Sequence, residues 1–299
     1  MTAATLDLPG LLGSWELHLR AERKSPQSVK SYTDGVRAFL RWCDAAGVDP
    51  VIGKPAVEKF TAGLLADGAA PATARSRQLG VRRFAAWLAE EDIISRDPLL
   101  GMRPPKLDTP VVPSLSDDQL AALLKACAGK TFMDRRDEAM IRLALESAAR
   151  AEELLGLAVA DVDLRRGLAV IRRGKGGRGR TVPFGPRTAR AIDRYLRLRA
   201  AHRLAGTPAL WLGDRGKDFA YYGFRNALQR RAEAAGIAGF HPHQLRHTAA
   251  SRWLAAGGSE GGLMAVGGWR SRDMLDRYVS DTAASRAADE ARGLGLGDL

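Results

Sequence analysis

The sequence predicts a mainly α-helical protein with one small antiparallel β-sheet, arranged as two domains. Three observations carry that expectation. Apolar residues recur at helical spacing through most of the chain, between recognisable caps. Only the stretch 168–184 reads as two strands joined by a turn. Pro104, Pro105, Pro110 and Pro113 fall within ten residues, where fixed φ and missing N–H groups exclude helix and favour an extended connector. The expected division is a helical domain over 1–103, a proline-rich linker over 104–113 and a second domain over 114–299. A chain of 299 residues has room for about two domains.

Along the first domain, a helix is expected over 11–20. The next, over 25–47, has Ser25 as N-cap, Pro26 at its first position, Val29, Tyr32, Val36, Phe39, Leu40 and Cys43 at helical spacing, and Gly47 past its end. A third helix is expected over 55–66 with Phe60, Leu64 and Leu65 inward, and a fourth over 73–90 with Leu79, Phe84 and Leu88 inward. On that fourth helix Arg75, Arg82 and Arg83 share a face, which suits contact with phosphates and equally suits an ordinary solvated surface.

In the second domain, Ser116 and Gln119 form a capping-box pattern with acidic residues between them, opening a helix. A long helix over 134–149 follows. Residues 168–172 and 180–184 read as strands flanking the basic turn 173–179, and helices return over 187–203, 219–235, 242–256 and 272–280. Six glycines between Gly257 and Gly268 predict a mobile segment just before Trp269.

Charge narrows the partners. The chain carries 46 basic and 34 acidic residues, a net charge of +12, with an isoelectric point near 10.2. That balance favours DNA, RNA or an anionic membrane surface. Residues 1–105 hold 14 basic and 12 acidic residues, so most of the excess lies beyond them. There is no run of about eighteen apolar residues and no basic segment followed by a hydrophobic one, so neither a transmembrane span nor a signal peptide is expected and a cytoplasmic protein is. Cys43 and Cys127, each in an apolar periodic segment, read as buried free thiols in a reducing compartment.

Two motifs mislead. Gly174, Gly176 and Gly179 match G-x-G-x-x-G, but Pro183 and Pro186 follow where a dinucleotide site needs a helix, and the ending of a phosphate-cradling P-loop is missing, so no nucleotide cofactor is implied. His241, His243 and His247 cluster, yet there is no H-E-x-x-H glutamate and no third ligand on the shared helix face, so no metal is expected either.

Four separated pieces carry chemistry: Arg150-Ala-Glu-Glu153, the basic turn around Lys175, His243-Gln-Leu-Arg246-His247, and Gly268-Trp269 followed nine residues later by Tyr278. In order and spacing they resemble the signature of the tyrosine recombinases of the phage integrase family: an arginine with glutamate three residues on, a lysine in a β-turn, H-x-x-R, and Gly-His or Gly-Trp nine residues before tyrosine. The likeness covers nearly the whole chain, since the helical first domain resembles the family's core-binding domain and residues 114–299 its catalytic domain.

The resemblance implies an enzyme that cleaves and rejoins DNA without metal or ATP. Tyr278 would be the nucleophile, forming a 3′-phosphotyrosyl link and freeing a 5′-OH. Arg150 and Arg246 would hold the non-bridging oxygens of the attacked phosphate, where negative charge builds up and forked donors serve best. His243 would act as general acid or base, and Lys175 would protonate the leaving 5′ oxygen. Glu153 would orient Arg150 through an i, i+3 pair, or be a surface pair on a helix. Arg172, Arg173, Arg178 and Arg180 would hold backbone phosphates. Trp269 stands where relatives more often have histidine; its N–H can donate to a phosphate oxygen and its ring would pack beneath Tyr278, while His247 would brace the helix.

Ala148-Ala149 stands where relatives often have Gly-Leu, and the glycine-rich stretch is less helical than in relatives. Few residues precede the first helix, so a two-domain enzyme without an arm-binding domain is expected. The expected partners are double-stranded DNA crossover sites and three further copies of the chain, joined through a four-way junction, with a directionality factor as a possible addition. Ala283 to Arg292, Ala-rich and helix-prone, would dock into a neighbouring subunit. The alternatives are an enzyme of the type IB topoisomerase kind, a silent DNA-binding protein and a metal-dependent nuclease.

Overall fold

The computed structural model describes residues 6–107, 113–172, 179–214, 219–272, 275 and 283–294. The chain divides into two compact units, Met1–Thr109 and Pro110–Leu299.

The first unit is built of α1 (Leu8–Ala21), α2 (Pro26–Ala45), α3 (Lys54–Ala66) and α4 (Pro71–Glu90). Ser25 caps α2, its hydroxyl accepting from the Ser28 amide at 3.1 Å, and Gly47 adopts φ +62° beyond the end. Helices α2 and α4 pack backbone to backbone. A Cβ on Gly35 would lie 2.7 Å from the Arg77 carbonyl oxygen, and one on Gly80 2.5 Å from that of Tyr32, so only glycine fits at this crossing. Trp15, Phe39, Phe60 and Phe84 fill the unit's interior, with Trp15 and Phe84 rings 5.0 Å apart. Leu65 and Leu79, expected inward, are exposed; Val57, Thr61, Val81 and Ala85 take those inner faces, and the larger leucines fall one position off the buried stripe.

The second unit contains α5 (Asp117–Lys125), α6 (Phe132–Ser147), α7 (Ala151–Leu155), a 3-10 turn at Val159–Asp161, β1 (Val162–Asp163), β2 (Leu168–Ile171), β3 (Arg180–Pro183), α8 (Pro186–Ala200), α9 (Tyr221–Ala234), α10 (His243–Ala255), α11 (Glu260–Gly267) and α12 (Ala283–Leu294). The expected capping box at Ser116 forms, with both hydrogen bonds near 3.0 Å. The sheet is antiparallel in the order β1-β2-β3, and Pro183 is tolerated because β3 is an edge strand. The two-residue β1 escaped the sequence pattern because it is too short to alternate.

Helix α6 is the central element, buried along Ala139, Met140, Ile141, Leu143 and Ala144 against α8 and α10. Helix α10 is buried on nearly all sides from Gln244 to Ser251 despite its polar content. Thr248 accepts the Leu115 amide at 2.9 Å and Ser114 donates to Ser251 at 2.8 Å, which ties the start of the unit to this helix.

Several expectations need correction. The glycine-rich stretch is not irregular: Ser259 caps the Gly262 amide at 3.1 Å and α11 runs through it, held by buried Leu263. Tyr221 and Tyr222 are both exposed. Tyr195 is buried: its hydroxyl donates to the Leu210 carbonyl at 2.9 Å, accepts from the Leu212 amide at 3.0 Å, and burial pushes its pKa up to about 12. Cys43 and Cys127 are buried free thiols, and burial raises both, Cys127 to about 12. Most of the helix expected over 272–280 lies outside the described residues. Among the described residues no helix is long and apolar enough to cross a membrane.

Candidate functional site

Arg150 stands at a break between helices. Helix α6 ends at Ser147, Ala148 turns the chain in the left-handed conformation at φ +46°, and Arg150 is extended just before α7. Two residues into the new helix, Glu153 reaches back: one carboxylate oxygen accepts from the Arg150 backbone amide at 2.9 Å and the other from Arg150 Nη1 at 2.9 Å. Glu153 is buried, so the pair expected between these residues is internal rather than superficial.

The same carboxylate serves a second arginine. Arg180 Nη2 donates to Glu153 Oε2 at 2.7 Å. Burial opposes ionisation of Glu153, but the hydrogen bond and charge of Arg180 and the amide and guanidinium hydrogen bonds of Arg150 outweigh it and hold the carboxyl down at about 2. Arg180 was expected to hold DNA phosphates, yet its side chain is only 12% exposed and turned into the protein. Strand alternation is the reason: Val182 and Phe184 are buried, and Arg180 shares their face. On β2, Ala169 and Ile171 point inward, so Arg172 faces out, where it pairs with the buried carboxylate of Asp161.

The C-terminal end of α11 completes the site. A helix end leaves carbonyls without intrahelical donors. Here three consecutive ones are each taken by a different arginine: the Val266 oxygen by Arg180 Nε at 2.6 Å, Gly267 by Arg246 Nη1 at 2.8 Å, and Gly268 by Arg150 Nη2 at 3.3 Å. Gly268 sits at φ +68°, and a Cβ there would meet the Arg180 guanidinium at 3.0 Å. Arg246, from α10, is 2% exposed, also donates to the Ala148 carbonyl, and lies flat over Trp269 at 3.8 Å from the ring centroid. Trp269 therefore packs beneath Arg246, a contact the sequence did not suggest.

His243 is the first residue of α10, one turn before Arg246 and exposed at its edge. Partial burial of its ring, with the charges of Arg246, His241 and Arg150, pushes its pKa below the ordinary histidine value. His247, one turn further, is buried and meets the His243 ring edge-on at 5.1 Å. Among the described residues no cluster of three His, Cys, Asp or Glu side chains could hold a metal ion.

The fold thus brings together Arg150, Glu153, Arg180, His243, Arg246, His247 and Trp269. Arg172 stands beside Asp161, just after the end of β2. Arg75 and Arg83 are exposed and Arg82 half-buried on α4, in the first unit. Lys175, Arg173, Arg178 and Tyr278 lie outside the described residues. Two guanidinium groups share the Glu153 carboxylate and a third, that of Arg246, lies at the same helix end, a gathering of forked donors that suits a phosphate.

A sequence profile of the phage integrase family matches residues 113–285. The tyrosine recombinase XerC of Chromohalobacter salexigens is 32% identical over 243 residues, covering 80% of this chain and 80% of its own. The tyrosine recombinase XerD of Mycobacterium tuberculosis is 32% identical over 280 residues, covering 86% and 87%. Among solved structures, the XerH site-specific recombinase bound to a palindromic difH substrate superposes with a TM-score of 0.72 at 16% identity, over 91% of this chain and 81% of that one. A lambda integrase tetramer bound to a Holliday junction gives 0.70 at 15% identity, over 92% and 78%. The structural likenesses concern the fold, whereas the profile and the sequence relatives bear on kinship. With more than half of the chain matched by the profile, and 32% identity to relatives over alignments that cover 80% or more of the chain, the chain belongs to the phage integrase family and is a site-specific tyrosine recombinase.

Proposed function

We propose that the enzyme cleaves one DNA strand by in-line attack of the Tyr278 hydroxyl on a phosphodiester, forming a 3′-phosphotyrosyl link and releasing a 5′-OH. The return attack of a 5′-OH on that link rejoins the strand without an external energy source. The observation that carries this reading is the gathering of Arg150, Arg180 and Arg246 at the end of α11, where consecutive carbonyls orient the guanidinium groups without neutralising them. Arg150 and Arg246 bind the non-bridging oxygens and absorb the charge that develops on them. Neutral near pH 7, His243 is suited to accept the tyrosine proton, and Lys175 donates one to the leaving 5′ oxygen. Trp269 supports Arg246 from beneath, and Arg172, Arg173 and Arg178 contact the DNA backbone.

The wider reading assigns residues 1–103 as a helical core-binding domain contacting DNA through Arg75, Arg82 and Arg83, 104–113 as a linker, and 114–299 as the catalytic domain with a C-terminal docking segment. Four copies assemble on two crossover sites and pass through a four-way junction in the cytoplasm, at the nucleoid, with a directionality factor setting the outcome. A lambda integrase tetramer on a Holliday junction and XerH on its difH substrate, both of this fold, support that arrangement. The test is incubation with nicked duplex carrying the crossover site, followed by a denaturing gel and peptide mapping. A protein-linked 3′ end at Tyr278, insensitive to EDTA and lost in Tyr278→Phe, is expected; DNA binding without an adduct would replace this reading with that of a silent DNA-binding protein.

A further inference from the structure

The basic residues flanking the Lys175 turn differ in what holds them. The Arg172 side chain is 67% exposed, with one carboxylate partner; that of Arg180 is 12% exposed, with Nη2 on Glu153 and Nε on the Val266 carbonyl. Arg180 is also the first residue of β3, five positions after Lys175. The Glu153 carboxylate lies between it and Arg150, with Oε1 on Arg150 Nη1 and Oε2 on Arg180 Nη2.

A carboxylate facing one arginine tends to take it bidentately, using both donors of the fork. Shared between two arginines, Glu153 takes only Nη1 of the Arg150 guanidinium, and Nη2 turns to the Gly268 carbonyl. That arrangement keeps Arg150 from being drawn wholly into an internal ion pair. The same Arg180 fixes the Val266 carbonyl, next to the Gly267 and Gly268 carbonyls that orient Arg246 and Arg150. We propose that Arg180 is a positioning residue: it divides the Glu153 carboxylate and holds the end of α11, so that the strand leaving the Lys175 turn sets the orientation of Arg150. It does not hold DNA phosphate. This inference rests on the assignment of Arg150 to the scissile phosphate.

The experiment compares wild type, Arg180→Gln, Arg180→Lys, Glu153→Gln and the double variant Glu153→Gln/Arg180→Gln as full-length proteins. DNA affinity is followed against salt, covalent adduct formation on nicked crossover duplex is measured at saturating protein, and thermal unfolding gives the folded fraction. Arg180→Gln is expected to keep its affinity and salt slope while adduct formation per folded molecule falls about ten- to a hundredfold, the usual range for loss of a supporting partner. Arg180→Lys should recover part of that rate, and the double variant should be no slower than the slower single one, because both changes act through the same carboxylate. A salt slope lowered by about one with normal adduct formation at saturation would make Arg180 a phosphate contact and overturn the proposal. Lowered thermal stability with a wild-type rate per folded molecule would make it a mere brace and overturn the proposal as well. If Arg180→Gln does not fold, Arg180→Lys carries the test with a smaller expected loss. Failure of the underlying reading shows separately, as a wild-type protein that forms no adduct at Tyr278.

Discussion

The second unit contains two buried groups of arginines and carboxylates, one near each end of α6. At the start of the helix, Arg136 pairs with Asp137 at 2.8 Å, and Arg231 binds Asp137 and Asp134 at 2.9 Å each. Two positive groups meet two negative ones, and the carbonyls of Leu212 and Ala126 take further guanidinium donors. Just past the end of the helix, Arg150 and Arg180 share the Glu153 carboxylate, Arg246 lies at the same helix end, and carbonyls of residues 148 and 266–268 take further guanidinium donors of the three. A carboxylate orients a guanidinium and cancels its charge; a carbonyl orients it and leaves the charge in place. In the first group each arginine meets a carboxylate, whereas in the second carbonyls do much of the orienting and leave guanidinium charge for an anion. Hydrogen-bond quality does not separate structure from function here, but the kind of acceptor does.

Substitutions at the two ends should fail in different ways. Asp137→Ala leaves Arg136, which is 2% exposed, and Arg231 without their shared carboxylate, so we expect a loss of about 3–5 kcal/mol in stability by denaturant unfolding. Adduct formation by the protein that stays folded should be unchanged, and a catalytic defect at full folding would erase the distinction between the groups. Arg150→Ala should do the reverse. Removing one donor to the developing charge is expected to slow adduct formation about a hundred- to thousandfold, with little change in DNA affinity. Full activity in that variant would remove Arg150 from the site.

The sequence showed the second group better than the first, because motif order survives without knowledge of packing. Arg150, Glu153, His243, Arg246 and Trp269 could be named before any fold was known. Arg180 could have been placed correctly too, since Val182 and Phe184 reveal the inward face of its strand; its company of basic neighbours concealed that. Arg136 and Arg231 gave no such sign, as both look like ordinary helix-surface arginines until α9 and the chain near Leu212 fold against α6. Helix α10 was legible as a helix over 242–256, but its burial was not, because buried Gln244, Arg246, His247, Thr248 and Ser251 erase the apolar stripe that periodicity depends on. The departure at Ala148 has a physical meaning that spacing alone hid. At φ +46° a glycine is relaxed and an alanine strained, which is why a glycine suits that turn.

Acid should sharpen the contrast through Glu153. Its carboxyl is held at about 2 in the fold against an ordinary value of 4.5, a difference of about 3 kcal/mol. Because the folded value is the lower one, that stabilisation is complete above pH 4.5 and is lost as pH falls toward 2. Glu153→Gln should therefore flatten the fall in stability between those limits, measured by denaturant unfolding at several pH values; an unchanged slope would mean the carboxylate is not gripped as described.

The smallest expected effect concerns His243, whose pKa is lowered by partial burial and by the positive charges of Arg246, His241 and Arg150. If the second group is as positive as its composition implies, the free enzyme should keep this ring neutral below the pH at which an ordinary histidine protonates. The second-order rate of adduct formation at sub-saturating DNA reports the free protein, so its acid limb should fall below pH 6.5, and His243→Asn should abolish that limb. At saturating DNA a bound phosphate offsets part of the arginine charge, and the limb should move upward. A limb at or above 6.5 in the free enzyme would mean that the positive field does not reach His243. A limb that DNA leaves in place would mean that the phosphate binds elsewhere.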